Sequence, residues 1–321
     1  MAAASVRFSP HGLIAAAFVF CAAGSAFSNT PTVNLRVLVP QSTSAIPFLL
    51  LARENPLPGI SLRVETFVSH PQALALLLRG EADLLLTGTS QGWENRLDGS
   101  PIVMVNTGIW GVSSLVGREG GIKSFADLSG KRIALPFPGS PLDFQTRAIL
   151  AGEKLDADRD VALSYGAFTQ SIPRLLAGQL DAVALPEPQA TSMVKERGLI
   201  RLVKYADAWA KTSGGDPKSP QVSLFVSEAF SKANKPLIIK LTEAWRNASA
   251  RVEGDPAGAS ESFAAALSTD TLILEEAIRN TLYSIPSFEE NKARVLDYYA
   301  AVLPYFPGPK GGLDPAFFFL P

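Results

Sequence analysis

The chain has little of the side-chain chemistry that most metal sites and many enzymes use. Its 321 residues include one cysteine, Cys21, and two histidines, His11 and His70. A single cysteine can form neither an internal disulfide nor a cysteine-ligated metal site, and the sequence has no zinc, calcium or nucleotide-phosphate motif. We therefore expect no metal and no cofactor.

An excess of charge of one sign is also lacking. The chain has 29 basic and 30 acidic residues, a net charge of −1. Proteins that bind nucleic acid cluster lysine and arginine, so we expect no nucleic-acid partner. After residue 28 no apolar run approaches the ~20 residues of a membrane-spanning helix. The chain beyond that point is predicted to be soluble.

Residues 1–28 have the pattern of a secretory signal peptide. Arg7 supplies a positive charge, Leu13–Ala23 form a short apolar run, and Gly24–Ser28 supply the small residues at which signal peptidase cuts. This pattern predicts export to the periplasm. A lipid anchor at Cys21 is disfavoured, because a bulky aromatic residue precedes it where a small one is required.

The segment Gly88-Thr89-Ser90-Gln91-Gly92 matches the Gly-x-Ser-x-Gly turn that carries the nucleophile of many α/β hydrolases. A serine needs a neighbouring base to take its proton. His11 falls within the predicted signal peptide, and His70 precedes Ser90, whereas these hydrolases place the histidine after the serine. A serine–lysine pair keeps a periplasmic hydrolase using Ser90 as an alternative. Otherwise Ser90 is a ligand-binding hydroxyl or a helix cap.

Two parts of the chain repeat one order of elements. Leu35–Pro40 resembles Lys131–Pro136, and Leu76–Leu86 resembles Arg174–Ala184. In the second pair, each copy reads as a helix ended by glycine and followed by a short apolar strand. Alternating helices and unbroken apolar strands predict an α/β fold whose open, mostly parallel sheets are flanked by helices. The repeat predicts two such lobes.

The predicted elements of the two copies correspond one to one. The first copy has strands at 33–39, 61–68 and 83–87 and helices at 45–54 and 71–79; the second has strands at 131–135, 161–166 and 181–185 and helices at 141–152 and 170–177.

Open α/β sheets bind ligands beyond the carboxyl ends of their strands. The loops after four of the predicted strands are rich in hydroxyl groups and backbone amides. Ser140 fits a helix N-cap as well as a ligand contact, and Glu187 fits either a ligand contact or a salt bridge. The candidate ligand-binding residues are Gln41, Ser42, Thr43, Ser44, Thr87, Gly88, Thr89, Ser90, Trp110, Phe137, Gly139, Ser140, Asp143 and Glu187.

Several segments together resemble one family. Ile122–Ala134, Gly139-Ser140, Leu176–Ala182, Glu187-Pro188 and the turn Thr87–Ser90 are similar to segments of periplasmic solute-binding proteins of nitrate, sulfonate and taurine ABC importers and their thiamine-pyrimidine-related relatives. The resemblance implies a two-lobe periplasmic-binding-protein fold, type II-like, that closes by hinge motion on a ligand between the lobes. It also implies a non-enzymatic role and an ABC permease with its ATPase as partner. We expect a monomer.

The chain crosses between the predicted lobes twice. Ile102–Thr107 read as a strand, Gly108–Gly111 as the outward crossing and Lys211–Pro220 as the return. Lobe one then comprises 29–110 and 220–321, and lobe two comprises 111–219. Helices are predicted near 228–253, 256–267, 270–282 and 287–303, and the resemblance implies that they pack mainly on lobe one.

The ligand is predicted to be a small polar or anionic organic molecule, either sulfonate-, taurine- or nitrate-like or pyrimidine-like. The four loops contain no lysine or arginine placed to pair with an anion. Nearby aromatic residues belong to the core or, where they face the cleft, favour a flat or partly apolar ligand. A ligand sensor for a signalling receptor is a further alternative to import. The aromatic residues are Trp93, Trp110, Phe137, Phe144 and Phe168.

Overall fold

Eleven strands and twelve α-helices form within residues 33–118, 121–305 and 312–321, which are the residues that the computed structural model describes. The predicted signal peptide, with His11 and Cys21, lies outside these ranges. The strands are β1 Val33–Pro40, β2 Ile60–Phe67, β3 Leu84–Gly88, β4 Ile102–Gly111, β5 Ser113–Gly117, β6 Arg132–Leu135, β7 Ala162–Tyr165, β8 Ala182–Pro186, β9 Ile200–Lys204, β10 Val222–Ser227 and β11 Leu282–Tyr283. The helices are α1 Ile46–Glu54, α2 His70–Leu78, α3 Thr89–Leu97, α4 Pro141–Gly152, α5 Phe168–Leu176, α6 Gln189–Arg197, α7 Tyr205–Thr212, α8 Glu228–Ala233, α9 Lys235–Gly254, α10 Pro256–Phe263, α11 Thr271–Arg279 and α12 Phe288–Val302.

The first sheet has six strands in the order β11-β4-β10-β3-β1-β2. Strand β1 pairs in parallel with β2 and β3, whereas β10 runs antiparallel to both β3 and β4. Strand β4 is buried along its whole length, as expected for an apolar strand covered on both faces. The reversed strand β10 is the one that returns from the second sheet.

The second sheet has five strands in the order β7-β6-β8-β5-β9 and repeats this plan. Strand β6 pairs in parallel with β7 and β8, and β5 runs antiparallel to β8 and β9. Strand β5 is the one that enters directly from β4. The duplicated α/β units predicted from the sequence therefore form, each with one antiparallel strand at a crossing.

The sequence-based elements need four corrections, the smallest of which is that the helix predicted near 256–267 ends at Phe263. Strand β4 continues through 108–111, so the outward crossing narrows to Val112 between β4 and β5. The helix predicted at 228–253 divides at Asn234, because Pro236 has no amide hydrogen and is tolerated only in the first turn of a new helix. The helix predicted at 270–282 ends at Arg279, and the residues after it form the short strand β11.

The C-terminal helices pack on elements of both sheets. Helix α9 packs on α1, where the rings of Phe48 and Trp245 lie 5.3 Å apart. Helix α12 brings Tyr298 within 6.1 Å of Trp93 on α3 and within 4.9 Å of Trp209 on α7. This aromatic cluster connects helices that flank the two sheets. None of the described helices is both long and apolar enough to cross a membrane.

Candidate functional site

A cavity of about 510 Å³ lies where loops from the two sheets meet. Its walls come from the carboxyl ends of β1, β3, β6 and β8, as the sequence analysis expects, and also from the ends of β2 and β7 and the two crossings. This volume falls within the range of small-molecule sites. The lining residues are Pro40, Gln41, Ser42, Ser44, Phe67, Val68, His70, Gly88, Gln91, Val112, Ser113, Pro136, Phe137, Ser140, Pro141, Leu142, Ala167, Phe168, Pro186, Glu187, Gln189, Gln221 and Val222.

The loop after β1 brings three of its four candidate residues to the cavity. Gln41, Ser42 and Ser44 line it, and the two serine hydroxyls lie 2.7 Å apart. Thr43 does not. Its hydroxyl lies 2.9 Å from that of Thr281, and its carbonyl accepts a hydrogen bond from a buried tyrosine, so Thr43 anchors the loop to the C-terminal region.

Most residues of the Gly-x-Ser-x-Gly turn are buried against neighbouring side chains. Gly88 lines the cavity, and a Cβ at that position would lie 2.4 Å from Gln91 Oε1, so only glycine fits without displacing the glutamine. Thr89 is buried with its hydroxyl 2.8 Å from that of Ser223. Ser90 is 2% exposed and its hydroxyl has no partner among the described residues. A nucleophile requires an adjacent base and access to substrate, and Ser90 has neither.

His70 belongs to the cavity wall rather than to solvent. Its Nδ1 lies 2.7 Å from the Thr87 hydroxyl, which donates to Gln91 Oε1 at 3.3 Å. Because the threonine has one proton to donate, His70 Nδ1–H is the donor in the first contact, and Nε2 remains an acceptor. Burial lowers the pKa of His70, so the ring is neutral near pH 7. Thr87 itself lies outside the main cavity.

The loop after β6 contributes Phe137 and Ser140. Ser140 caps α4 by accepting a hydrogen bond from the Asp143 amide, which confirms the cap, and it also lines the cavity, where it stays a predicted ligand contact. Asp143 is 4% exposed and does not line the cavity. Its carboxylate accepts hydrogen bonds from the Gly139 amide, from Arg147 Nε and from a tyrosine hydroxyl. Asp143 and Gly139 therefore hold the loop in place behind the wall.

Glu187 lines the cavity from the end of β8 and is 1% exposed. Arg201, which the sequence analysis missed, places a guanidinium nitrogen 2.6 Å from Glu187 Oε1. The Thr191 amide donates to the other carboxylate oxygen. Burial raises the pKa of Glu187, and Arg201 opposes that shift. Next to it, Gln189 also lines the cavity, and its Oε1 atom is buried without a partner among the described residues.

The crossings supply the rest of the wall, but not through Trp110. That ring is 1% exposed, and its Nε1 donates to the Ser284 carbonyl at 2.7 Å. Gln221 lines the cavity instead, and its amide nitrogen donates to Gln145 Oε1 at 2.9 Å. Of the other aromatic candidates, Phe137 and Phe168 face the cavity. Trp93 and Phe144 are fully buried core residues.

Some lining residues that the sequence analysis did not name follow from the same rule, that ligands bind at the carboxyl ends of strands. Applied to all carboxyl strand ends, the rule would have included the turns after β2 and β7, which supply His70 and Phe168. Gln91 and Gln189 lie within the first turn of helices that follow two chosen strands. Gln221 lies on the return crossing, where composition alone gives no sign of a ligand contact.

The wall of the cavity carries no lysine or arginine in the part of the chain that the structure describes. Positive potential comes instead from helix termini, because α3, α4, α5 and α6 all begin at the cavity. The first amides of a helix have no partner within the helix and attract partial or full negative charge. The rest of the wall combines apolar side chains with uncharged hydrogen-bonding side chains and with Glu187, whose carboxylate is paired with Arg201.

The sequence model of the NMT1/THI5-like family matches residues 58–259, more than half of the chain. The chain belongs to this family. The resemblance drawn from the sequence is thereby confirmed. A search of the curated proteins found no match.

Solved structures show the same fold at low sequence identity. The alkanesulfonate-binding protein SsuA from Xanthomonas axonopodis pv. citri, bound to MOPS, is 20% identical, with a TM-score of 0.69 over 89% of this chain and 98% of that one. An ABC transporter protein from Parabacteroides distasonis is 21% identical, with a TM-score of 0.71 over the same shares. The CA3427 gene product of Candida albicans, described as having the generic periplasmic binding protein fold, is 12% identical, with a TM-score of 0.61 over 88% and 98%. The NMT1/THI5-like chain has this fold, as predicted.

Proposed function

We propose that the chain is the extracytoplasmic solute-binding component of an ABC importer and captures a small organic molecule between its two sheets. The observation that carries this proposal is the cavity of about 510 Å³, framed by strand ends of both sheets. Family membership and the likeness to an alkanesulfonate-binding protein and an ABC transporter protein support the same role.

The cavity favours an organic ligand over a bare inorganic anion. Phe67, Phe168 and Leu142 contribute apolar surface, and no lysine or arginine lines the described wall. Nitrate has no apolar surface to bury and would rely on helix-terminal amides alone. A ligand with a flat or partly apolar body and a few polar groups would contact both the apolar side chains and the helix-terminal amides of the wall. Among the ligand classes considered, a pyrimidine-like molecule therefore fits better than nitrate.

The polar groups of the wall favour a ligand that carries N–H or O–H donors. Gln189 Oε1 lacks a partner among the described residues, and His70 Nε2 is an acceptor. A buried acceptor without a donor costs about 1–3 kcal/mol. A ligand that donates to these atoms recovers that cost on binding, whereas a ligand without donors does not.

In this role the lobes close on the ligand by hinge motion, and the closed protein meets an ABC permease with its ATPase outside the cytoplasm. Lobe one comprises 29–110 and 220–321, lobe two comprises 111–219, and the protein acts as a monomer without catalysis. The buried position of Ser90 argues against the hydrolase alternative. A fluorophosphonate probe tests this point, because an adduct at Ser90 would favour a hydrolase.

The test is native mass spectrometry of the purified protein, combined with a thermal-shift screen of small polar and heteroaromatic compounds. We expect one co-purifying small molecule, and a related compound in the screen should stabilise the protein by ~2.7 kcal/mol at 100 times its Kd. The variant Ser113→Phe places a ring in the cavity wall and should lose both signals. The matched control Ser213→Phe, on an exposed loop, should keep them. Turnover of an ester with no stabilising compound would contradict the proposal.

A further inference from the structure

A second chamber of about 620 Å³ adjoins the main cavity. The two share the side chains of Val68, His70, Gln91 and Phe137 as a common wall. The second chamber extends from this wall between α2 and α3, down to the start of β4. A ligand bound in the main cavity therefore lies directly beside a second, largely apolar space that nothing in the proposed function yet explains.

The second chamber contains a carboxylate without a counter-ion. Glu94 lines it, and no hydrogen bond or ion pair reaches its side chain from the described residues. The nearest basic residue on the same helix, Arg96, is engaged by Glu228 and Asp314. By contrast, the buried carboxylates of the main site are both paired, Asp143 with an arginine of α4 and Glu187 with Arg201.

Glu94 also faces the opposite lobe. A Cβ placed on Gly139, in the loop after β6, would lie 3.6 Å from Glu94 Oε1. That loop carries Phe137, which is 42% exposed and lines both spaces. The Glu94 carboxylate on lobe one thus lies beside the lobe-two loop that carries Phe137. A cation between them would contact both lobes.

We propose that the second chamber is a subsite for a positively charged group of the ligand, an ammonium or amidinium that pairs with the Glu94 carboxylate. This inference rests on the proposed function. The ligand would place its flat or apolar body in the main cavity and its cation in the chamber, whose wall includes the aromatic residues Phe137 and Phe225. The missing counter-charge of Glu94 would then come from the ligand.

The electrostatics of the chamber support a cation rather than an anion. The titratable residues on its described wall are His70 and Glu94, and no lysine or arginine lines it. Burial, with the nearby charge of Asp98, raises the pKa of Glu94 to about 7, which is the response of a carboxylate that lacks a positive partner. A sulfonate in this space would meet a like charge.

The test uses three probes of matched shape: phenethylammonium, phenethyl alcohol and 2-phenylethanesulfonate. Their Kd values are measured by calorimetry at pH 8, where Glu94 is mostly ionised, for the wild type, for Glu94→Gln and for Asp98→Asn. Glu94→Gln keeps the shape of the side chain and removes its charge. Asp98→Asn also removes one negative charge, four residues further along at the C-terminal end of α3, from a residue outside the chamber wall.

We expect the ammonium probe to bind at least about tenfold more tightly than the alcohol, and the sulfonate more weakly than both. Glu94→Gln should remove the ammonium preference and change the alcohol Kd by less than about twofold, whereas Asp98→Asn should preserve the preference. Equal Kd values for ammonium and alcohol, or an unchanged preference in Glu94→Gln, would overturn the subsite. If a neutral or anionic compound nevertheless stabilises the protein, the receptor proposal stands. If no compound of any charge stabilises it, both proposals fail.

Discussion

Gln189 offers a perturbation whose effects on stability and on ligand binding have opposite signs. It is the first residue of α6 and lines the main cavity, and its buried Oε1 has no partner in the part of the chain that the structure describes. Substitution of leucine keeps the approximate size of the side chain and removes the acceptor. A structural glutamine and a ligand-binding glutamine would respond differently to this change.

The magnitude follows from the missing partner. A buried acceptor without a donor costs about 1–3 kcal/mol, so Gln189→Leu should leave the unliganded protein as stable as the wild type or more stable. At ~2–4 °C per kcal/mol for domains of 150–250 residues, Tm should stay constant or rise by a few degrees. A ligand N–H that donates to this oxygen contributes ~1–1.5 kcal/mol, so the variant should bind about tenfold more weakly.

Thermal unfolding with and without the ligand identified by mass spectrometry measures both effects. At 100 times the wild-type Kd the ligand stabilises the wild type by ~2.7 kcal/mol; with Kd tenfold higher the same concentration gives the variant only ~1.4 kcal/mol. Gln179→Leu, which makes the same replacement outside both cavities, serves as the control. A fall in the unliganded Tm with the ligand-induced shift intact would refute the reasoning, because Gln189 would then be structural.

Four further outcomes are expected. Ser90→Ala should keep Tm constant or raise it by a few degrees without changing the ligand Kd, because it removes a buried hydroxyl that has no partner in the described structure; thermal shift checks both. Asp143→Ala should lower the free energy of unfolding in urea by about 1–3 kcal/mol, because the Gly139 amide and the Tyr165 hydroxyl lose their acceptor and Arg147 keeps only the exposed Asp158 as its partner. Burial lowers the pKa of His70, so the folded state resists protonation; stability should fall as pH drops below 6.5, less steeply in His70→Asn when Tm is followed with pH. Binding of phenethylammonium at pH 6.5 should release protons, because Glu94, with a pKa of about 7, must ionise to pair with the cation. Calorimetry in two buffers should detect this release in the wild type and not in Glu94→Gln.

The fold was predictable because its signals are local and repeated. Leu76–Leu86 and Arg174–Ala184 each encode a helix, a glycine in the left-handed conformation and a buried strand, and both copies form as predicted. The antiparallel strands β5 and β10 were not predictable in the same way. Their direction depends on which sheet the chain enters after a crossing, and an apolar strand has the same pattern in either direction.

The position of the candidate site was predictable from the sequence, but only some of its residues were. Strand-end loops mark the cleft, yet they do not say which side chain faces it. Thr43 and Asp143 were chosen for their polarity, but the Thr43 hydroxyl contacts the Thr281 hydroxyl, and the Asp143 carboxylate accepts from the Gly139 amide and from Arg147. Arg201 was missed because it reaches Glu187 from β9, so the contact depends on the pairing of β5 with both β8 and β9.

The division between paired and unpaired polar groups explains how such a site can select its ligand. Asp143 and Glu187 hold loops of the second sheet, and their arginines neutralise them, so neither presents a free charge to the ligand. Gln189 and Glu94 carry polar atoms without a partner among the described residues, and each lines one of the two spaces. A site of this kind discriminates mainly by rejection, because a ligand that lacks the required donor or cation leaves a buried group unpaired. The Glu94→Gln variant should therefore lose its selectivity against sulfonates and keep its affinity for neutral ligands.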